Sequence, residues 1–149
     1  MTRTLAASVF VLIFTSVSLA NADRCRGVVN QNVYSNAKYF EEAGDVGGLE
    51  ISIAPDGHRI LLFDYEGSLA DPISLPAMYA KGALKVSADY TLNLTEYPTK
   101  KPVSEKHHVE VKARVTKSVL AGTIRFDSNP AEHVRLRRVP YVWGCKGRS

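Results

Sequence analysis

The chain has 149 residues, of which 45% are hydrophobic and 23% are charged, and its formal net charge is +4. This length corresponds to one domain, and so mild a basic excess argues against nucleic-acid binding, which needs a concentrated basic face. The sequence contains no nucleophile elbow, phosphate-binding loop, dinucleotide fingerprint or CxxC pair, and these short motifs mark common enzyme classes. We therefore predict no catalytic residues, no metal site and no cofactor.

The N-terminal segment has the pattern of a signal peptide. Arg3 precedes an uncharged apolar run over residues 5–20, and Ala20-Asn21-Ala22 has the small-x-small form of a cleavage site. The run spans 16 residues, which is short for the alternative, a transmembrane helix of about 20 residues. We predict cleavage after Ala22 and a single mature domain of residues 23–149, periplasmic or secreted, with no membrane anchor.

The two cysteines, Cys25 and Cys145, lie near opposite ends of the mature chain. In an exported protein such a pair predicts a disulfide, with two free thiols as the alternative. Because a disulfide brings its Cα atoms within about 7 Å, the first and last strands should lie close together. A closed barrel, or a sandwich with adjacent termini, meets this requirement.

In chain order, the first half of the mature sequence predicts a strand and then a hairpin. Residues 33–40 are interpreted as a strand, with a short helix as the alternative. Apolar and polar residues alternate over 49–54, Pro55-Asp56-Gly57 has the composition of a turn, and residues 60–65 resume as a second strand. A short strand interrupted by Pro76 is expected over 74–79.

The second half alternates more regularly. It predicts a long strand, a polar loop and three further strands, over residues 84–94, 97–106, 109–115, 119–126 and 133–142. The long strand is interpreted either as one coiled barrel strand or as two strands broken by a bulge near Ala88-Asp89. About eight strands with short connections predict an all-β fold, a single antiparallel barrel that is mostly a meander. A β-sandwich is the alternative. The predicted cavity is lined by apolar residues that share one strand face, Leu84, Val86, Tyr90 and Leu92, with Leu62 from the hairpin.

Candidate ligand-binding residues fall on two strands besides Tyr90. Asp64 interrupts an apolar run and is expected to point inward, on the strand face that Glu66 shares. Paired carboxylates are the catalytic groups of most glycoside hydrolases. Arg135 and Arg137 share one face of the last strand.

With Lys112 and Arg114, the two arginines would form a basic stripe suited to an anionic polymer or an acidic partner. The alternative is an ordinary barrel exterior of mixed charge. His108 and Glu110 also share a face, but a tight metal site needs at least three protein ligands.

Several motifs resemble those of a group of small secreted bacterial proteins of unknown function. They are GDVGGLEISI over residues 44–53, the apolar strand after it, Leu136-Arg137-Arg138, Tyr141 and Trp143. The resemblance implies a lipocalin-like (calycin) barrel and supplies no catalytic residues. Small periplasmic lysozyme inhibitors are similar in size, export signal and barrel architecture, although their inhibitory loop motif is not found here.

These observations predict a non-enzymatic binding module for a small ligand. The alternative is a protein-binding module, such as an inhibitor of a cell-wall hydrolase, that uses the loops 66–75 and 97–106. An enzyme would need convergent polar groups, and Asp64 with Glu66, or His108 with Glu110, are the candidates.

Overall fold

The structure is a computed structural model that describes residues 32–66, 71–96, 100–140 and Val142. All regular secondary structure in these ranges is β-strand, and ten strands form one antiparallel sheet, as the predicted all-β class requires. The strands are β1 (Asn32–Ser35), β2 (Lys38–Phe40), β3 (Asp45–Ile53), β4 (Arg59–Glu66), β5 (Ile73–Pro76), β6 (Met78–Ala80), β7 (Ala83–Glu96), β8 (Lys101–Val115), β9 (Val119–Phe126) and β10 (Glu132–Val139). In this part of the chain no helix is long and apolar enough to span a membrane.

The sheet is a meander whose first and last strands are neighbours. Its order is β5-β4-β3-β1-β10-β9-β8-β7-β6, and β2 pairs with β3. Val33 of β1 lies opposite Val139 of β10, which is the adjacency expected from the two cysteines. Cys25 and Cys145 themselves lie outside the described residues, as do the predicted signal peptide, Tyr141 and Trp143.

Two of the predicted strands are broken in the middle, so the count rises from about eight to ten. The first strand is divided into β1 and β2 at Asn36 and Ala37, where the N–H of Leu49 donates to Oδ1 of Asn36 at 2.7 Å. Gly48, across from this break, has a φ of 121°, a conformation that favours glycine. The fourth predicted strand is divided into β5 and β6 at Ala77, directly after a proline.

The prediction of a closed barrel is not met by the hydrogen-bonded ladder. The order ends at β5 on one side and at β6 on the other, because the strand that would join the two edges bends at Ala77. Pro76 has no N–H to donate, and the N–H of Ala77 donates to the His58 carbonyl at 2.9 Å. Because Ala77 alone separates β5 from β6, the sheet curls and brings its two edge strands near each other, and β5 contacts β7.

One hydrophobic core fills the concave side of the curled sheet. It contains Tyr34, Ile51, Ile53, Ile60, Leu62, Leu75, Leu84, Val86, Ala88, Val109, Val111, Val115, Leu120, Ile124, Val134 and Leu136. Leu62 and Leu84, predicted to line a cavity, are fully buried in this core, as is nearly all of Val86. Of the predicted lining, only Tyr90 and Leu92 remain partly exposed, toward one end of the sheet.

A smaller apolar cluster lies on the opposite face of β1, β3 and β4. Its buried members are Val33, Val46, Phe63, Tyr65 and Val142. The hydroxyl of Tyr65 donates to Oε1 of Glu50 at 3.1 Å, and Glu50 is fully buried. Val142 packs against this face of the sheet.

The strands β7 and β8 extend well past their neighbours. They have 14 and 15 residues and stay paired from Ala83 opposite Arg114 to Glu96 opposite Lys101. On one side β6 pairs only with residues 83–85, and on the other β9 pairs only with residues 109–115. The remainder, residues 89–96 and 101–108, forms a two-stranded segment that we call the arm.

The arm decides between two interpretations of the long strand and corrects one prediction. The register of β7 with β8 is continuous through Ala88, so β7 is one strand and not two strands broken by a bulge. The loop predicted over 97–106 is mostly strand, because β8 begins at Lys101.

Candidate functional site

The inward-facing residues change from apolar to polar at the end of the sheet where the arm begins. We call this end the mouth. Asp64 on β4, Tyr90 on β7 and His107 on β8 each lie two positions beyond a core residue of the same strand, so their side chains share its face. The mouth therefore places a carboxyl, a phenol and an imidazole above a packed apolar floor.

His107 is held by Asp127, the first residue after β9. Nδ1 of His107 lies 2.8 Å from Oδ2 of Asp127, and the backbone N–H of His108 donates to Oδ1 at 2.7 Å. The N–H of Asp127 returns a hydrogen bond to the His108 carbonyl at 2.8 Å. The hydrogen bond to Asp127 raises the pKa of His107. The same bond is the main cause that lowers the pKa of Asp127, and the hydrogen bond from the His108 N–H is the second cause.

Tyr90 and His107 lie directly opposite each other on β7 and β8, and their rings stack. The ring centroids are 5.4 Å apart with an interplanar angle of 28°. Burial raises the pKa of Tyr90 most, and the charges of Asp127, Asp64 and Glu66 raise it further. The stacked rings thus form an aromatic wall in a negative electrostatic field.

Asp64 supplies the half-buried carboxyl of the mouth, opposite Leu49 on β3. Its pKa is raised, first by burial and then by the charges of Glu66 and Glu132. Within the described chain, the buried Nε2 of His107 makes no hydrogen bond, although Oε2 of Glu105 lies 3.4 Å away. The mouth thus combines excess negative charge with a ring nitrogen that has no well-aligned partner.

The predicted ligand residues Arg135 and Arg137 lie elsewhere. They alternate with the buried Val134 and Leu136, so they project from the outer face of the sheet, away from Asp64 and Tyr90. The structure divides the four predicted ligand residues between two sites, the mouth and the outer face.

Two surface grooves lie on the outer face and neither contains Asp64 or Tyr90. One has a volume of about 440 Å³ and is lined by Glu110, Lys112, Thr123, Arg125 and residues 128–131. The other has a volume of about 370 Å³ and is lined by residues 81–85 and 112–114, which include Lys81, Lys85, Lys112 and Arg114. The second groove is therefore strongly basic.

His108 and Glu110, the candidate two-ligand pair, are each held by another side chain. Nε2 of His108 lies 3.9 Å from Oε1 of Glu110, and its Nδ1 lies 2.5 Å from Oδ1 of Asp89. Glu110 is paired with Arg125 at 2.8 Å, and this bond lowers the Glu110 pKa. Over the described ranges no group of three or more His, Cys, Asp or Glu side chains is arranged to hold a metal ion.

No protein-family model matches this chain, and no curated protein or solved structure is significantly similar to it. The chemistry of the mouth must therefore be interpreted from its own residues. The sequence alone singles out Asp64 and Tyr90 as ligand candidates but not His107 and Asp127, and a ligand role for any of the four stays a prediction. The alternation of the predicted strand 109–115, extended back by two residues, puts His107 on the face of Val109. The loop predicted over 97–106 gives no sign that His107 pairs with Tyr90.

Proposed function

We propose that the protein is a non-enzymatic binding module that takes a small ligand at the mouth, between Asp64 and the stacked rings of Tyr90 and His107. The observation that supports this is a half-buried carboxyl beside an aromatic wall, above a core that is otherwise packed. Polar groups that converge over an apolar floor are the usual composition of a ligand site.

We propose a small organic cation as the ligand. Three carboxylates, Asp64, Glu66 and Glu132, act on this region, and burial weakens the screening of their charges. A cation would neutralise Asp64 and lie against the face of Tyr90, where the ring quadrupole attracts positive charge. An anion of the same size would meet repulsion from the same groups.

We further propose that the protein is exported by a signal peptide over residues 1–22 and that its mature chain is cross-linked by a Cys25–Cys145 disulfide. The pairing of β1 with β10 supports the disulfide, because it brings the two ends of the described sheet next to each other. The denatured mass of the purified protein tests this proposal. It should lack the first 22 residues and two further hydrogens, and retention of residues 1–22 would refute the export step.

Calorimetric titration tests the ligand proposal. Choline and its neutral isostere 3,3-dimethylbutanol should differ in affinity by about tenfold or more in favour of the cation, since an aromatic contact with a partly desolvated cation is worth about 1–2 kcal/mol. Asp64→Asn should reduce choline affinity. Asp56→Asn is the matched control, because Asp56 lies in the turn at the opposite end of β4 and Asn can keep its bond to the His58 N–H. Equal affinities for both probes, or equal losses in both variants, would contradict the proposal.

The arm favours a second function, binding to a protein such as a cell-wall hydrolase. Leu94 is 44% exposed on the arm, opposite Val103, and no other described strand covers this region. Exposed apolar side chains and open strand edges are features that bind other chains. Leu94→Asp should abolish muramidase inhibition while Thr91→Asp, on the other face of the arm, should not. If wild-type protein inhibits no muramidase, this function is refuted.

A further inference from the structure

Five exposed basic residues lie together on the outer face of β7, β8 and β10. We call this set the basic face; it consists of Lys85, Lys112, Arg114, Arg135 and Arg137. Each alternates with a buried core residue of its own strand, so all five project away from the core and from the mouth. The basic face is therefore a separate surface from the proposed ligand site.

The sheet register fixes how the basic face is arranged. Lys85 lies directly opposite Lys112. Arg114 and Arg135 both lie opposite Ala121, one from each side. The two arginines are thus about 9.5 Å apart, two strand spacings, with a small side chain between them. Arg137 is two residues further along β10, so the positive charges extend both across the strands and along one of them.

The positive charge of this surface is mostly uncompensated. Lys112 reaches Oε2 of Glu110 at 4.0 Å, whereas Lys85, Arg114, Arg135 and Arg137 form no ion pair with any residue that the structure describes. The outward positions between these cations on β9 are Val119, Ala121 and Thr123, which carry no charge. Like charges on adjacent strands disfavour folding, so the surface is poised to gain from a polyanion.

We propose that the basic face binds a flexible acidic polysaccharide through its carboxylate groups. Arginine pairs with carboxylates in a bidentate geometry, and the basic groove beside Lys81, Lys85, Lys112 and Arg114 has room for one acidic sugar. A flexible chain can follow the curled outer surface and contact Arg114 on β8 and the two arginines of β10 at once.

Two other polyanions fit this surface less well. Single-stranded nucleic acid is bound through base stacking on aromatic side chains. The outward positions of β7–β10 at the basic face hold no Phe, Tyr or Trp. Membrane-surface binding draws on large apolar side chains, and these positions hold none larger than Val119. An anionic vesicle and a nucleic acid are therefore the competing outcomes of the test.

The test is binding of full-length mature protein to polygalacturonate at low salt, with neutral dextran, single-stranded and duplex DNA, and phosphatidylglycerol vesicles in parallel. The triple variant Arg114→Gln, Arg135→Gln, Arg137→Gln should bind polygalacturonate at least about tenfold more weakly, because each charged contact it removes is worth several-fold in affinity. The control, Lys38→Gln, Arg59→Gln, Lys106→Gln, removes the same charge from exposed positions elsewhere.

Preferential binding to polygalacturonate, lost in the first variant and kept in the control, supports the proposal. Equal loss in both variants shows a response to net charge alone and overturns it. Binding that favours DNA or vesicles, or the absence of binding to any probe, overturns it as well. If the triple variant does not fold, as judged by circular dichroism, Lys85→Gln with Lys112→Gln gives the same readout. Choline binding at the mouth should be unchanged in all of these variants, which separates the two proposals.

Discussion

His107 and Asp127 are joined by a contact of 2.8 Å between Nδ1 and Oδ2, which ties the end of β9 to the inner face of β8 at the mouth. The same carboxylate accepts the backbone N–H of His108, so it sets both the position of the ring and the path of the strand. This one residue therefore links the stacked Tyr90–His107 wall to the rest of the sheet.

We predict that this pair stabilises the fold most between about pH 4 and pH 6.5. The raised His107 pKa gives a contribution that is complete below the unfolded value of about 6.5 and is lost as pH rises through the folded value. The lowered Asp127 pKa gives a contribution that is present above about 3.9 and is lost as pH falls through the folded value.

Thermal unfolding of Asp127→Asn across pH checks this prediction. The difference in melting temperature from the wild type should be largest near pH 5 and should shrink toward pH 8 and toward pH 3. Asn can still accept the His108 N–H, so the variant removes mainly the charge. Asp56→Asn serves as the control, because it also removes a carboxylate that accepts a backbone N–H; the same window in both variants would assign the effect to net charge. A difference that is constant with pH would contradict the assigned ion pair.

Asp64 should behave in the opposite way, as a residue that costs stability. Because burial and neighbouring carboxylates raise its pKa, stability is lost as pH rises from the unfolded value of about 3.9 through the folded one. We predict that Asp64→Asn stabilises the protein at pH 7 by about 0.5 kcal/mol, allowing for solvent screening of a half-buried group. The gain should vanish below pH 3.5 in urea unfolding experiments. A loss of stability at pH 7 would refute the prediction.

The features predicted correctly from sequence are those set by local patterns. The hairpin of β3 and β4 follows from alternation around Pro55-Asp56-Gly57, and β9 spans the predicted residues 119–126. The interruption at Pro76 is also predicted, and β5 does end there. The break at Asn36 is not predicted, because it depends on a hydrogen bond to Leu49 on another strand. Local alternation cannot report such partners.

Pro102 shows why the start of β8 was misread. Proline usually marks a loop, but it is tolerated in a strand whose N–H side has no partner. Residue 102 lies in the arm, where β8 pairs only with β7, so no ladder bond on the other side is lost. With residues 97–106 read as a loop, the stacking of His107 on Tyr90 and its bond to Asp127, 20 residues away, could not be inferred.

Gly122 should be intolerant of any side chain, for steric reasons. A Cβ at this position would lie 2.5 Å from the Ala113 Cα and would overlap the Lys112 carbonyl oxygen. We predict that Gly122→Ala destabilises the protein by about 1–3 kcal/mol in urea unfolding. Gly44→Ala is the comparison, since Gly44 has a φ of 69° but nothing within 4 Å of an added Cβ, so its cost is limited to about 1 kcal/mol of backbone strain. If Gly122→Ala loses less stability than Gly44→Ala, the close packing of β8 against β9 at this position is contradicted.

Replacement of Leu84 tests whether the interior of the sheet is packed or contains a deep cavity. It is fully buried within the main core, so Leu84→Ala should remove packed apolar surface and leave a void, at a cost of about 2–5 kcal/mol in the free energy of unfolding. A residue that lined an existing cavity would cost less, because its neighbours on one side are already missing. Leu94→Ala, on the exposed arm, should change stability by about 0.5 kcal/mol or less. A similarly small effect of Leu84→Ala would indicate an open interior and would move the ligand site from the mouth to the centre of the sheet.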